Sequence, residues 1–279
     1  MSIFKSTVHR NSFRGFLGVA LLAGVLFSFQ DAYAYIPPSG FILKTWIGRH
    51  SANKLVRVRS KVTLFKEGKP TDLHFKETAF FGPSVSFFKG IAQDESGRKL
   101  QSLEKSAASA SAFTQLVLGT DVNQVGLALK EKGIPIRLEQ DLLTLLTEEE
   151  RIKAEDESMS RWKNTIAWVV GQGAQVWFQK DGFQPLRLLM PSEGLGEEVE
   201  IQFDEIGTTF YYPRVVTVLK KKSGEILFES RLIEISNISE SAVPASLFNQ
   251  PVTEPENLDA QKNFQALLIF AKQYFDVLR

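Results

Sequence analysis

The chain has 279 residues, with 33 Lys and Arg against 32 Asp and Glu, and it contains no cysteine. Cations interleaved with nearly equal numbers of anions argue against a nucleic-acid partner, which needs clustered positive charge to release counterions. The missing cysteine excludes disulfides, thiol catalysis, cysteine metal ligation and an acylated N-terminal cysteine.

The N-terminus starts with a basic stretch holding Lys5, Arg10 and Arg14, continues as a charge-free apolar run from Phe16 to Phe29, and reaches Ala32-Tyr33-Ala34. That order is the basic region, apolar region and small-residue cleavage site of a secretory signal peptide. The apolar run is shorter than the roughly 20 residues needed to span a bilayer as a helix. The expectation is therefore a signal peptide over 1–34, cleavage after Ala34, and a periplasmic mature chain of net charge −1 without a permanent membrane span. The alternative is an uncleaved N-terminal anchor.

Beyond Pro37-Pro38, Ser39 is placed to cap a short helix carrying Phe41, Ile42, Trp46 and Ile47. From Leu55 to Phe65 the residues alternate, with Val56, Val58, Val62 and Leu64 on one side and Arg57, Arg59, Lys61 and Thr63 on the other. This predicts a half-buried strand. A turn at Glu67-Gly68-Lys69-Pro70 leads to a strand over Leu73–Phe81 and a shorter one around Val85–Phe88. Between about 106 and 162 alternation gives way to helical spacing, with Asp121 capping a helix that carries Val122, Val125 and Leu129 and closes at Gly133. Thr147 and Glu150 match a capping box in the same stretch. Strands then resume over Thr165–Val170, Gln175–Gln179, Pro185–Met190, Val199–Glu205, Arg214–Leu219 and Ile226–Ile235, punctuated by Asp181-Gly182 and Ser223-Gly224. Such punctuation predicts hairpins. A last helix over Leu258–Leu278 places Phe264, Leu267, Leu268, Ala271 and Phe275 at helical spacing.

Chemistry-bearing patterns are sparse. His50 and His74 have no partner at metal or triad spacing, and no cofactor or metal is expected. The runs Glu148-Glu149-Glu150 and Glu155-Asp156-Glu157 read as solvated helix faces rather than an acid–base pair. Gly171-Gln172-Gly173 and Gly194-Leu195-Gly196 lack the third glycine of a dinucleotide loop and read as turns. Lys220-Lys221-Lys222 at a hairpin tip serves solubility or touches anionic headgroups. Trp46, Trp162, Trp168 and Trp177 read as packing residues.

What remains is an architecture: a long antiparallel sheet with one dry face, and helices at its start, middle and end that need an apolar surface. Sheets of this length curl, and a curled dry face lidded by helices encloses room for acyl chains or apolar side chains. The stretches Ala167–Gly171, Val176–Leu188, Val199–Asp204, Tyr212–Val216 and Gly224–Ile235, with Phe248, resemble the outer-membrane lipoprotein-sorting superfamily of LolA and LolB. The shared pattern is a strand ending in Asp-Gly, a Pro-x-Arg strand, a polar/apolar strand, a Pro-Arg strand and a Gly hairpin. The resemblance covers about 160–250 and, more loosely, 39–90; the insertion and the C-terminal helix depart from it.

The resemblance implies an α+β fold, an open antiparallel half-barrel with helices over its concave face. The expected organisation is a half-barrel domain over 35–256, interrupted by a helical insertion at about 106–162, and a C-terminal helix over 257–279. The expected function is non-enzymatic binding or carriage of an apolar ligand, lipoprotein acyl chains or a lipid, in cell-envelope biogenesis. The alternative is an envelope protein-interaction module whose half-barrel is self-filled and which has an envelope protein partner. The expected apolar ligand-binding residues are Val58, Val62, Phe75, Trp168, Phe178, Leu188 and Phe203.

Overall fold

The computed structural model describes residues 36–49, 55–82, 87–138, 156–192 and 195–279. The expected signal segment, His50, Thr147, Glu148-Glu149-Glu150 and Glu155 lie outside them. From Ile36 onward the chain forms one unit.

The alternation read in the sequence is the organising fact. In β1 (Val56–Lys66), Val56, Val58, Ser60 and Val62 are buried while Arg59 and Lys61 are exposed. Glu67 and Gly68 both adopt positive φ, the two-residue turn whose twist suits a hairpin, and return the chain into β2 (Lys69–Gly82). β3 (Phe87–Gln93) and β4 (Lys99–Ser106) complete a meander. The second meander runs through β5 (Glu157–Trp162), β6 (Thr165–Val170), β7 (Gln175–Gln179), β8 (Pro185–Ser192), β9 (Glu197–Ile206), β10 (Pro213–Lys220) and β11 (Ile226–Asn237). β11 pairs with β1, so the two meanders join into one antiparallel sheet of eleven strands, ordered β4-β3-β2-β1-β11-β10-β9-β8-β7-β6-β5. The sheet is open, with β4 and β5 at its edges.

Among the described residues, the helices over Ser39–Ile47, Ala112–Leu118, Val122–Glu131 and Leu258–Leu278 cover the dry face of this half-barrel. α1 (Ser39–Ile47) buries Ile42, Leu43, Trp46 and Ile47; α2 (Ala112–Leu118) is buried throughout; α3 (Val122–Glu131) buries Val125, Ala128 and Leu129. Asp121 caps α3 by accepting from the Asn123 and Gln124 amides at 2.8 and 3.3 Å. α4 (Ala245–Asn249) sits on the other face, where Phe248 packs with Phe80 and Ile91. The Lys99 ammonium then donates to the Phe248 and Gln250 carbonyls at 2.8 and 2.5 Å, holding the chain beside edge strand β4 before it continues as α5 (Leu258–Leu278).

Three expectations need correction. Ser39 does not cap α1: the helix already includes it, and its hydroxyl accepts from the Arg137 amide at 2.9 Å. Of the strand expected around Val85–Phe88, Val85 and Ser86 lie outside the described residues, and the described part runs on from Phe87 to Gln93; β4 was not foreseen, because polar Lys99, Gln101, Ser102 and Glu104 blur the alternation of an edge strand. The helical stretch expected to reach 162 ends sooner, since Glu157–Trp162 is strand β5. β5 is largely exposed and has a single neighbour, so pairing with β6 makes it a strand without any apolar period.

Candidate functional site

The seven residues expected to bind an apolar ligand lie on six strands: Val58 and Val62 on β1, Phe75 on β2, Trp168 on β6, Phe178 on β7, Leu188 on β8 and Phe203 on β9. Register brings Val62 opposite Phe75 and Trp168 opposite Phe178. All seven belong to one apolar cluster, and the most accessible, Trp168, is 6 % exposed. The chain's own helices occupy the space above them. Phe113 of α2 stacks on Phe203 with ring centroids 5.7 Å apart, and Phe270 and Tyr274 of α5 meet Phe75 edge-on at 5.0 and 5.4 Å. Phe270 and Tyr274 also reach Phe228. Two surface cavities of about 490 and 510 Å³ lie at helix ends, and none of the seven borders either.

Within this apolar surround lies a buried polar cluster. Phe75, Glu77, Ala79 and Phe81 share the dry phase of β2, so Glu77 points its carboxylate into the helix-covered face, where its side chain is 0 % exposed. Arg279, directly after α5, answers it: Nε donates to Oε1 at 2.6 Å and Nη2 to Oε2 at 2.8 Å. This is a two-point guanidinium–carboxylate pair, the geometry that gives charge-assisted bonds their strength. The Tyr274 hydroxyl donates to Glu77 Oε2 at 2.5 Å, and Arg279 Nη2 donates to the Tyr274 and Tyr212 hydroxyls at 3.0 and 3.4 Å. Thr114 of α2 donates to the Leu278 carbonyl at 2.7 Å, and the Ser111 amide donates to the Arg279 carbonyl at 2.9 Å, which satisfies carbonyls at the helix end. The guanidinium also lies over the Phe113 ring at 5.3 Å.

Burial raises the Tyr274 and Tyr212 hydroxyls above the usual tyrosine range, strongly for Tyr274, although the Arg279 charge pulls the other way. Burial opposes the Arg279 cation, but attraction from Glu77 and the two phenols outweighs it, and its proton is held well above the ordinary arginine value. The Tyr274 and Tyr212 protons and the Arg279 cation are therefore held firmly. One further group on this face has no use: Ser60, opposite Glu77 on β1, has a buried hydroxyl without a partner among the described residues.

Sequence reasoning missed Glu77, Arg279, Tyr274, Tyr212 and Thr114. For Glu77 a signal existed, since a charged residue sits at the dry phase of an otherwise clean alternation. For the others, chain separation hides the contact.

The remaining candidates resolve into structural pairs. His74 has Nδ1 3.0 Å from the Asp72 carbonyl and pairs through Nε2 with Glu95, whose pKa that hydrogen bond lowers. Lys220 lies 3.5 Å from both Glu197 and Glu225, and Lys221 lies 3.1 Å from Glu198. Trp46 donates from Nε1 to the Leu116 carbonyl at 2.7 Å, and Trp162 and Trp177 flank the Arg187 guanidinium, which pairs with Glu200 at 2.5 Å. Among the described residues no His, Asp and Glu grouping suits a metal ion.

Among solved structures the chain matches a LolA superfamily protein from Nitrosomonas europaea at 10 % identity, covering 77 % of this chain and 98 % of that one, with a TM-score of 0.45. It matches an outer membrane lipoprotein-sorting protein domain from Vibrio parahaemolyticus at 11 % identity, covering 75 % and 95 %, with a TM-score of 0.43. MucB from Pseudomonas aeruginosa, solved in complex with MucA, aligns at 12 % identity over 78 % of this chain and 64 % of that one, with a TM-score of 0.29. No protein-family model and no curated protein matches the sequence. No helix among the described residues is long and apolar enough to cross a membrane.

Proposed function

We propose that this chain is a non-enzymatic binding protein of the cell envelope that works as a protein-interaction module, its half-barrel filled by its own helices. One observation supports this reading over open carriage of lipid: α5 occupies the dry face, with Phe264, Phe270, Ala271, Tyr274, Phe275, Val277 and Leu278 all buried. An acyl chain could reach Phe75 only after Phe270 and Tyr274 of that helix left, and its departure would separate Arg279 from Glu77. An apolar ligand offers no cation in exchange. Acyl burial at about 0.8 kcal/mol per methylene would then have to outweigh both the lost helix packing and the broken ion pair.

The test is chemical. The exported protein is purified without detergent, extracted with organic solvent and analysed by mass spectrometry, while uptake of a fluorescent fatty acid is measured in parallel. The expected result is no stoichiometric lipid and no uptake. A co-purifying lipid in molar ratio would overturn the module reading in favour of carriage.

A further inference from the structure

The polar cluster says what kind of partner the groove takes. Resting on the interaction-module reading, we infer that the groove under α5 is a seat for an amphipathic helix that carries aromatic side chains and an arginine, and that α5 is its tethered, exchangeable occupant. The chemistry of the seat is legible from the helix now in it. Phe270, Tyr274, Phe275 and Arg279 stand at relative positions i, i+4, i+5 and i+9, and the arginine meets a carboxylate 0 % exposed at the bottom of an apolar surface. A partner helix therefore needs both aromatic area and a cation at that depth. An acidic or neutral helix would leave Glu77 facing an apolar surface without a counter-charge.

Three further observations point to exchange rather than to a permanent core helix. Residues 250–254, 256 and 257 are exposed, as is Leu258 at the start of α5, so the helix hangs from a solvated strap after the Lys99 clamp at Phe248 and Gln250. Burial is weighted to its second half: of the described side chains between Leu258 and Ile269 only that of Phe264 is buried, whereas Phe270, Ala271, Tyr274, Phe275, Val277 and Leu278 all are. α5 also leaves the seat imperfectly matched, because the buried Ser60 hydroxyl on the same face has no partner among the described residues. A tethered helix competes at high effective concentration, so a partner gains entry when it is abundant or better matched.

The full chain can be made to report this. A protease site inserted between the exposed residues Pro251 and Val252 is cut in the folded protein, leaving every residue present and α5 untethered. A fluorescein-labelled synthetic peptide of residues 252–279 is then added and followed by anisotropy. The labelled peptide should exchange into the cut protein and be displaced by the unlabelled one. A peptide with Arg279→Met should compete at least roughly tenfold less well, the scale of removing one member of a buried charge pair. In cut protein carrying Glu77→Gln that preference should disappear, which a merely packing role for Arg279 would not produce. A cut protein that unfolds, or one that never exchanges its helix, overturns the proposal by making α5 fixed core. Equal competition by the Arg279→Met peptide overturns the cation requirement. Lipid in the extract would instead sink the module reading, whatever the peptides do.

Discussion

The guanidinium of Arg279 grips the carboxylate of Glu77 at two points, 2.6 and 2.8 Å, between the end of the last helix and the second strand of the sheet, with both side chains shut away from water. Removing either partner strands the other in an apolar surround, so Glu77→Ala and Arg279→Ala should each destabilise by about 3–5 kcal/mol. Glu77→Leu combined with Arg279→Met removes both charges and should cost clearly less than the sum of the two single losses. Urea titrations of the four proteins measure this. Additive losses would show that the two groups do not act as a pair.

Alkaline stability should depend on Tyr274. Burial raises its folded pKa well above the ordinary value of 10.0, so the folded chain holds a phenolic proton that the unfolded chain gives up first. Its contribution is complete below pH 10 and is lost as the pH rises beyond that value, because there the unfolded state binds fewer protons. Tyr274→Phe should lower stability at neutral pH yet flatten the fall above pH 10. Denaturant midpoints measured across this range, compared with wild type, give the answer; parallel curves would contradict it.

Along α5, Phe270 is 1 % exposed and its neighbour Ile269 is 60 % exposed. Phe270→Ala should cost about 3–5 kcal/mol through lost burial and a residual cavity, whereas Ile269→Ala should stay within about 0.5 kcal/mol. Thermal melts of the two variants check the seating of the helix.

On β1 the contrast is between adjacent residues. Val58 is 1 % exposed, while Arg59 reaches outward to Glu234 at 3.1 Å. Val58→Asp places an unpaired charge in the core and should cost several kcal/mol, while Arg59→Gln gives up only a surface pair worth about 0–1 kcal/mol. Equal losses in melting experiments would mean that the strand is buried on both faces.

Export carries its own prediction. N-terminal sequencing of periplasmic protein should begin at Tyr35, since Ala32 and Ala34 supply the small side chains that signal peptidase accepts. Recovery of Met1 in a membrane fraction would identify an anchor instead.

Period-2 burial made most of the sheet readable in the sequence. A strand with one wet face must alternate, so β1 and β6 to β11 were placed within a few residues, and the turns at Gly68 and Gly224 needed the positive φ that glycine supplies. The last helix was equally plain, because a 3.6-residue apolar stripe needs no distant partner to be recognised. Edge strands β4 and β5 were not, since pairing on one side imposes no apolar pattern. Nor could the sequence say what fills the groove. Val58, Val62, Phe75, Trp168, Phe178, Leu188 and Phe203 read as one dry surface, and their composition is the same whether a ligand or a helix lies on it. Only the tertiary structure decided that α5 lies on Phe75 and α2 on Phe203, and that Glu77 and Arg279, 202 positions apart, meet in that interior. Local periodicity determines which face of an element is dry; long-range packing determines what covers it, and no local pattern encodes the match.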